Sequence, residues 1–128
     1  MNKILFFVAL MLLSLPVYSA DWQLDSTGSF EIDKDSILKT KNSVKAWVKI
    51  DDKGRYGFKK YINRRTYLAI DCQNRTASEL YIALYDKNGD IVLSYDLEKE
   101  NKSYPERIIP DSYGEMLYIE LCSYLKKK

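Results

Sequence analysis

The chain has no histidine and only two cysteines among its 128 residues. Histidine is the usual general base near neutral pH and a common zinc ligand, so its absence excludes histidine-based triads and ordinary zinc sites. Paired carboxylates are the alternative for catalysis, at Asp51-Asp52 and at Glu98 with Glu100, but these pairs lie in polar stretches typical of solvated surface. We therefore predict a protein that is not an enzyme, with no catalytic residue, metal site or cofactor.

Charge of neither sign dominates. The chain carries 20 Lys and Arg against 18 Asp and Glu, a formal net charge of +2. A balance this even produces no field over the whole molecule that would attract nucleic acid or an anionic membrane. We predict no nucleic-acid partner.

The one long apolar run lies at the N-terminus. Residues 4–15 are almost uniformly apolar, follow Lys3 and precede Pro16 and small residues, which is the pattern of a secretory signal peptide. A membrane span needs roughly 20 apolar residues, so the alternative of a retained anchor is disfavoured. We predict a cleaved signal peptide over 1–19 and a mature chain over 20–128. No cysteine near the cut offers a lipid-attachment site, so we expect an exported protein without lipid anchor or transmembrane segment, periplasmic, secreted or on the cell surface.

The mature chain has the length of one domain, and a domain this small buries only a modest share of its surface. Cys72 and Cys122 are its only cysteines. In an oxidising compartment such a pair predicts one disulfide. Closing a loop of about 50 residues would stabilise the fold by about 4 kcal/mol in the chain-entropy model. The alternative, a two-cysteine metal or redox site, lacks a Cys-x-x-Cys pair.

Most of the mature chain alternates between apolar and polar residues with the period of two that is typical of β-strands. Asn88-Gly89 between two such runs predicts a hairpin turn. No connection is long enough for regular parallel crossovers, so we predict an antiparallel sheet of about six strands. The predicted strands lie at 22–25, 30–33, 44–50, 66–72, 80–85 and 91–97.

The C-terminus changes to a helical period. Ser112 followed by Glu115 has the spacing of a capping box. One helical stripe follows, made of Tyr118, Leu121, Cys122 and Leu125. Since Cys72 belongs to the aliphatic face of its strand, the disulfide would tether the helix to that face. The predicted fold class is α+β, an antiparallel sheet with one C-terminal helix.

The opposite face of the sheet is predicted to be aromatic, and two interpretations are open. Aromatic residues are favoured in strands for propensity alone. Tyr and Trp also dominate the hot spots of protein interfaces, which would predict a homodimer or a protein partner on this face. The residues of this face are Trp47, Tyr67, Tyr81 and Tyr85, flanked by Lys45 and Lys49.

One cluster of cations interrupts the balanced charge, between the Trp47 strand and the Cys72 strand. We predict a long loop or an extended hairpin end. It offers a second binding hypothesis, for sulfated glycans or an acidic protein patch, since nucleic acid does not suit an exported protein. The alternative is a solvated tip that keeps a sheet edge from pairing with neighbours. The cations are Lys53, Arg55, Lys59, Lys60, Arg64 and Arg65, with Tyr56, Phe58 and Tyr61 between them.

Several short motifs occur in a fixed order along the chain. They are Trp22, Phe30-Glu31-Ile32-Asp33, Ser36-Ile37, Val44-Lys45-Ala46-Trp47-Val48, Tyr67 to Cys72, Tyr85-Asp86-Lys87-Asn88-Gly89, Ile109-Pro110-Asp111-Ser112 and Cys122. In this order the chain resembles the surface-adhesin protein E family of Gram-negative bacteria. The resemblance implies an antiparallel sheet of about six strands with a disulfide-tethered C-terminal helix. It also implies a surface protein that binds host matrix and plasma proteins such as vitronectin and laminin and that can dimerise, with basic residues in the central part of the chain involved in binding.

These observations leave three hypotheses for function. The first is an exported adhesin-like protein that binds host matrix or plasma proteins through the basic loop, the aromatic face or both. The second is a soluble periplasmic accessory or inhibitory module that binds another bacterial envelope protein. The third is a hydrolase that uses carboxylates. Cellular location separates the first two, and a pocket with two facing carboxylates would support the third.

Overall fold

The computed structural model describes residues 20–126, so the predicted signal peptide at 1–19 lies outside the described residues. No helix in the described range is long and apolar enough to cross a membrane. The elements are β1 (Trp22–Leu24), β2 (Phe30–Asp33), a 3-10 helix (Lys34–Ser36), β3 (Leu38–Lys39), β4 (Ser43–Tyr56), β5 (Lys59–Asp71), β6 (Thr76–Tyr85), β7 (Ile91–Asp96), β8 (Glu106–Arg107) and α1 (Tyr113–Ser123).

The eight strands of the described chain form one antiparallel sheet. Six of them lie in the order β1-β2-β4-β5-β6-β7, while β3 pairs with β4 and β8 pairs with β6. The predicted antiparallel sheet is therefore confirmed, and the predicted number of about six strands is wrong. The two additional strands are each two residues long, too short to show an alternating pattern in the sequence.

The core lies between the sheet and α1. The alternation in β4 points Val44, Ala46 and Val48 to one side, where each is completely buried. Burying a side chain of this kind contributes about 1.5–3 kcal/mol for Val or Leu. The rest of the buried cluster comes from β2, β5 and α1, and consists of Phe30, Ile32, Leu68, Ile70, Leu117 and Leu121.

The helix begins where the sequence predicts. Ser112 is its N-cap, and the Ser112 hydroxyl accepts a hydrogen bond from the Glu115 backbone N–H at 3.2 Å. The apolar stripe differs in detail, because Leu117 joins Leu121 as the buried pair. The helix ends at Ser123, so Leu125 packs against the core from beyond the helix.

The predicted disulfide between Cys72 and Cys122 is present, with 5.8 Å between the two Cα atoms. Cys72 directly follows β5, and Cys122 lies in the last turn of α1. A hydrogen bond from the Tyr118 hydroxyl to the Cys72 carbonyl, 2.8 Å long, reinforces the same junction. The helix is thus held to one face of the sheet, as the sequence predicts.

One predicted alternation is wrong. The sequence suggested that Leu80 shares a face with Ile82 and Leu84. In the structure Tyr67 is opposite Tyr81, but the next residue, Leu68, is opposite Glu79, so Leu80 is an extra residue in a β-bulge. A bulge shifts the alternation by one position. Glu79 therefore lies on the helix-covered face, where the sequence pattern had placed an aliphatic side chain.

The cationic segment is the end of a long hairpin, one of the two predicted forms. β4 and β5 remain paired to Tyr56 and Lys59, and Gly57 with Phe58 forms a two-residue turn. Gly57 has a φ of +63°, which glycine adopts without strain. The hairpin extends beyond the part of the sheet that α1 covers.

The predicted turn at Asn88-Gly89 joins β6 to β7. The Asp86 carboxylate accepts hydrogen bonds from the backbone N–H groups of Asn88 and Asp90, each at 2.9 Å. Only Gly89 has a positive φ, of +82°. The connection is therefore a three-residue loop closed by the Asp86–Asp90 backbone bond, a common alternative to the two-residue turn.

Candidate functional site

The face of the sheet opposite α1 carries a row of aromatic side chains. Trp47, Tyr67 and Tyr81 are aligned across β4, β5 and β6. The Trp47 ring centroid lies 5.3 Å from that of Tyr67 and 5.6 Å from that of Tyr81, within the range at which aromatic rings attract one another. We call this surface the open face and define it by seven residues: Trp22, Trp47, Lys49, Arg65, Tyr67, Tyr81 and Tyr85.

Arg65 lies at the centre of a second row beside these rings. Its guanidinium carbon is 3.8 Å from the ring centroid of Tyr85 and 5.5 Å from that of Trp22. Trp22 also receives the ammonium group of Lys49 at 4.6 Å, and Lys49 lies 3.5 Å from the carboxylate of Glu31. Stacking on aromatic faces holds a guanidinium in a fixed plane.

The guanidinium of Arg65 makes no hydrogen bond and no ion pair with any residue in the range 20–126, and its Nε is buried. Its terminal N–H groups are the strongest unused donors of the open face. A planar guanidinium pairs best with a carboxylate, through two parallel hydrogen bonds. The arrangement is suited to an acidic side chain surrounded by apolar surface.

Sequence reasoning assigned Arg65 to the cation cluster, and of the remaining residues of the open face it missed Trp22. It belongs to a three-residue strand in which no alternation can be recognised. Its position follows from the pairing of β1 with β2, where Trp22 is opposite Asp33, and this pairing is set by the turn between the two strands. The sequence contains no direct signal for it.

The open face surrounds a shallow depression of about 470 Å³. One wall is aromatic, and the other comes from the 3-10 helix and β3. Asp33 in this wall is buried, and its carboxylate accepts hydrogen bonds from the backbone N–H groups of Asp21 and Asp35. The lining residues include Trp22, Asp33, Asp35, Ser36, Leu38, Trp47, Arg65, Tyr67 and Tyr85.

Tyr67 keeps its proton over a wide pH range. Burial, and then the negative charge of Glu98, raise the pKa of its phenol above the ordinary value. The side chain is therefore a neutral hydrogen-bond donor at any physiological pH.

The six predicted cations do not form one cluster. Lys53, Arg55, Lys59 and Lys60 are exposed at the end of the β4–β5 hairpin. Arg65 is on the open face, and Arg64 is on the other side of the sheet, opposite Ile50 and Leu84. The strand alternation places neighbours on opposite faces, so extending the Tyr67 strand back to residue 64 would have predicted this division.

Arg64 belongs to a polar group beside the helix. It forms an ion pair with Glu79, whose carboxylate also accepts a 3.1 Å hydrogen bond from the buried Thr66 hydroxyl. This group borders a cavity of about 330 Å³ next to Leu117. Because its charge is already balanced by Glu79, Arg64 is a structural residue of the covered face.

The residues considered for catalysis do not come together. Asp51, Glu98 and Glu100 are exposed, and they line none of the three cavities of the described residues. In the described part of the chain, no group of three or more Cys, Asp or Glu side chains is arranged to hold a metal ion. The open face, with its contacting aromatic rings and the stacked guanidinium of Arg65, is therefore the candidate site.

The fold and this surface define a class of small protein, a single antiparallel sheet that is clamped on one side by a disulfide-tethered helix and aromatic on the other. The family model described as surface-adhesin protein E matches residues 19–123. The chain belongs to the surface-adhesin protein E family. Proteins of this family are exported, adhesin-like surface proteins, which agrees with the expectation of export from the sequence.

Solved structures with the same fold come from Haemophilus influenzae. Crystal form II of its protein E is similar with a TM-score of 0.61 and 18% identity, over 88% of this chain and 94% of that one. Protein E from non-typeable Haemophilus influenzae is similar with a TM-score of 0.54 and 20% identity, over 84% of this chain and 78% of that one. At such identity the likeness concerns the fold. None of the curated proteins compared with the chain matches it.

Proposed function

We propose that this protein is an exported adhesin-like binding protein without enzymatic activity, and that it engages host matrix or plasma proteins through the open face. The observation that carries the proposal is the guanidinium of Arg65, stacked between Trp22 and Tyr85 beside the row of Trp47, Tyr67 and Tyr81. Trp, Tyr and Arg are the residues that most often dominate the energy of protein interfaces.

The open face is ordered before it binds. Its rings are half-buried and contact one another across three strands, so little side-chain entropy remains to be lost on association. Strands are also a more rigid support than loops. A preorganised aromatic surface of this kind supports tight binding of a protein partner better than a fully exposed hairpin end does.

The chemistry of the open face also indicates what a partner must present. Arg65 offers unused donors, and the surrounding rings offer apolar contact. The matching epitope is an Asp or Glu side chain flanked by apolar groups. Vitronectin and laminin, the host proteins that the family resemblance implies, are the first candidates to test.

The second hypothesis, a soluble periplasmic module that binds an envelope protein, would use the same surface. Location and partner separate the two. We expect antibody to label intact cells or the culture medium to contain the protein, and we expect serum rather than periplasmic extract to supply the captured partner. Release only after the outer membrane is breached, with capture only from periplasmic extract, would support the module and contradict the proposal.

The surface is tested with a matched pair of tyrosines. Tyr81 lies on the open face, whereas Tyr95 is opposite Ile82 on the other side of the sheet and is exposed. In pull-downs from serum, Tyr81→Ser is expected to reduce capture strongly and Tyr95→Ser to leave it unchanged. Equal capture by both variants would remove the open face from the proposal.

A homodimer is the other way to cover the open face. Light scattering over a concentration series measures the oligomeric state of wild type and of Trp47→Ala. It distinguishes a homodimer from a monomer whose open face binds a different protein. Our proposal predicts that serum protein competes with any self-association. Dimerisation that serum proteins leave unchanged would assign the face to the dimer instead.

A further inference from the structure

The end of the β4–β5 hairpin presents the most exposed apolar side chain of the described chain. Phe58 is 104% exposed, as much as an isolated residue. Tyr56 is 57% exposed and Ile62 39% exposed on the flanking strands. We call this segment, residues 53–62, the hairpin tip. A lone Phe held in water at an apex contributes nothing to the core, so its position needs another explanation.

Cations surround this apolar apex. Lys53, Arg55, Lys59 and Lys60 are exposed, and none forms an ion pair or side-chain hydrogen bond with a residue in the range 20–126. The carboxylates nearest in the sequence are Asp51, the last regularly paired residue before a β-bulge, and Asp52, which lies in the bulge beside Lys53. The tip is a local positive end on a chain that is almost neutral overall.

A second hairpin lies beside one flank of the tip. Asp86 and Asp90 of the β6–β7 connection line a groove together with Lys59 and Lys60. The Asp86 carboxylate already accepts two backbone hydrogen bonds within its own turn, and Lys87 adds a positive charge to the same groove. The two aspartates offset only part of the charge of Lys59, Lys60 and Lys87 in this groove, and the tip keeps a net positive charge.

The tip is also stiff. Tyr61 is opposite Gly54, and its ring occupies the space that a Cβ on Gly54 would need. Backbone pairing continues to Tyr56 and Lys59. Phe58 is thus presented by paired strands and a two-residue turn, so its exposure is a built feature of the hairpin.

We propose that the hairpin tip docks on an anionic phospholipid bilayer, with Phe58 inserted below the headgroups and the four cations against the lipid phosphates. Lys60, which is paired with Arg55, lies two positions after Phe58, about 7 Å along a strand. Interfacial apolar groups insert about 5–10 Å into the headgroup region, so cations at this spacing reach the phosphates while Phe58 reaches the acyl boundary. Lys and Arg extend their charged ends to the interface in the same way.

This contact lies apart from the open face and goes beyond the proposed function. Binding through Arg65 and its neighbours places a host protein against the sheet. The tip would place the molecule on a membrane surface by a different set of residues, and each contact can be removed without the other.

The test uses the exported protein with its disulfide formed and vesicles in which a third of the phosphatidylcholine is replaced by phosphatidylglycerol. We expect co-sedimentation with these vesicles, no binding to pure phosphatidylcholine, and weakening by added salt. Phe58→Ala is expected to weaken partitioning by about tenfold, and Lys59→Gln with Lys60→Gln by about thirtyfold. Matched controls are Ile119→Ala, exposed on α1, and Lys41→Gln with Lys99→Gln, exposed elsewhere.

The depth of insertion has its own measurement. In vesicles with brominated acyl chains, the fluorescence added by Phe58→Trp is expected to be quenched, and that added by Ile119→Trp is not. Absence of binding to the anionic vesicles would overturn the proposal. So would binding that depends on Lys59 and Lys60 but not on Phe58, because the tip would then be a general polyanion site for glycans or acidic proteins.

Discussion

The two faces of this sheet come from the same strands and differ in almost every physical respect. On the covered face, Val44 and Val48 are completely buried under α1. On the open face, Trp47 lies between them in sequence yet remains half-exposed, among tyrosines and the guanidinium of Arg65. Because successive side chains of a strand point to opposite faces, one segment can contribute buried core residues to one face and exposed residues to the other.

Mutations on the two faces should therefore have different effects on stability and on binding. Changes on the covered face should unfold the protein and affect binding only through folding. Changes on the open face should affect binding while stability hardly moves.

The largest effect is expected from removing the link between helix and sheet. Replacing Cys72 and Cys122 together by Ala should lower the free energy of unfolding by about 4 kcal/mol, because the 50-residue loop is no longer closed in the unfolded chain. Denaturant unfolding measures this change in the free energy of unfolding. Wild type treated with reductant should show the same decrease. An unchanged midpoint would mean that the core alone holds the helix.

Within the helix, two aliphatic residues separate burial from exposure. Leu121 is completely buried, and Ile119 is 61% exposed. Leu121→Ala should cost about 3 kcal/mol through the lost burial and the cavity left behind, whereas Ile119→Ala should change the free energy of unfolding by about 0.5 kcal/mol or less. Equal losses at the two positions would show that α1 does not pack against the sheet by the face described.

The stability of the β1–β2 turn, which positions Trp22, depends on the ionisation of Asp25 and therefore on pH. Burial raises the pKa of Asp25, but hydrogen bonds from Thr27, Ser29 and Phe30 outweigh burial and hold the pKa below its ordinary value of 3.8. A lowered pKa means that this contribution is complete above pH 3.8 and is lost as the pH falls through the lower folded-state value.

Asp25→Asn should therefore cost on the order of 1 kcal/mol at neutral pH. The difference from wild type should shrink as the solution is acidified below pH 3.8. Unfolding curves across this range measure it. A difference that is constant with pH would assign the effect to shape rather than to charge.

On the open face, the expected effect on stability is small compared with that of Leu121→Ala. Arg65→Gln removes two cation–π contacts, each worth about 0.5–1 kcal/mol at a partly exposed site, while the glutamine stem keeps part of the packing. We expect a loss of about 1 kcal/mol or less in thermal unfolding. A loss comparable to that of Leu121→Ala would mean that the open face belongs to the core, and the comparison between faces would fail.

Much of the architecture follows from local rules that the sequence displays. The alternation around Trp47 predicts the core face of β4, and the two cysteines predict the helix tether. Ser112 marks the start of α1. Each of these features depends on near neighbours or on a single possible partner, and each is present in the structure.

The parts that could not be predicted depend on register between strands. The extra residue at Leu80 is recognisable only when β6 is aligned with β5, and it moves Glu79 to the covered face, where it pairs with Arg64. Trp22 reaches the open face through the pairing of β1 with β2. Pairing of distant segments is a tertiary property that the sequence does not display. The division of the six cations needs less, because the alternation of β5, extended back to Arg64, already separates Arg64 from Arg65.

The central claim is tested most directly by the neighbours Arg64 and Arg65, which have the same chemistry and lie on opposite faces. Surface plasmon resonance on immobilised vitronectin and laminin would compare wild type with Arg64→Gln and Arg65→Gln, each confirmed as folded. We predict that Arg65→Gln weakens binding by about tenfold or more, while Arg64→Gln keeps the wild-type affinity despite some loss of stability. Equal affinities for all three proteins, or no binding of wild type to either ligand, would contradict the account.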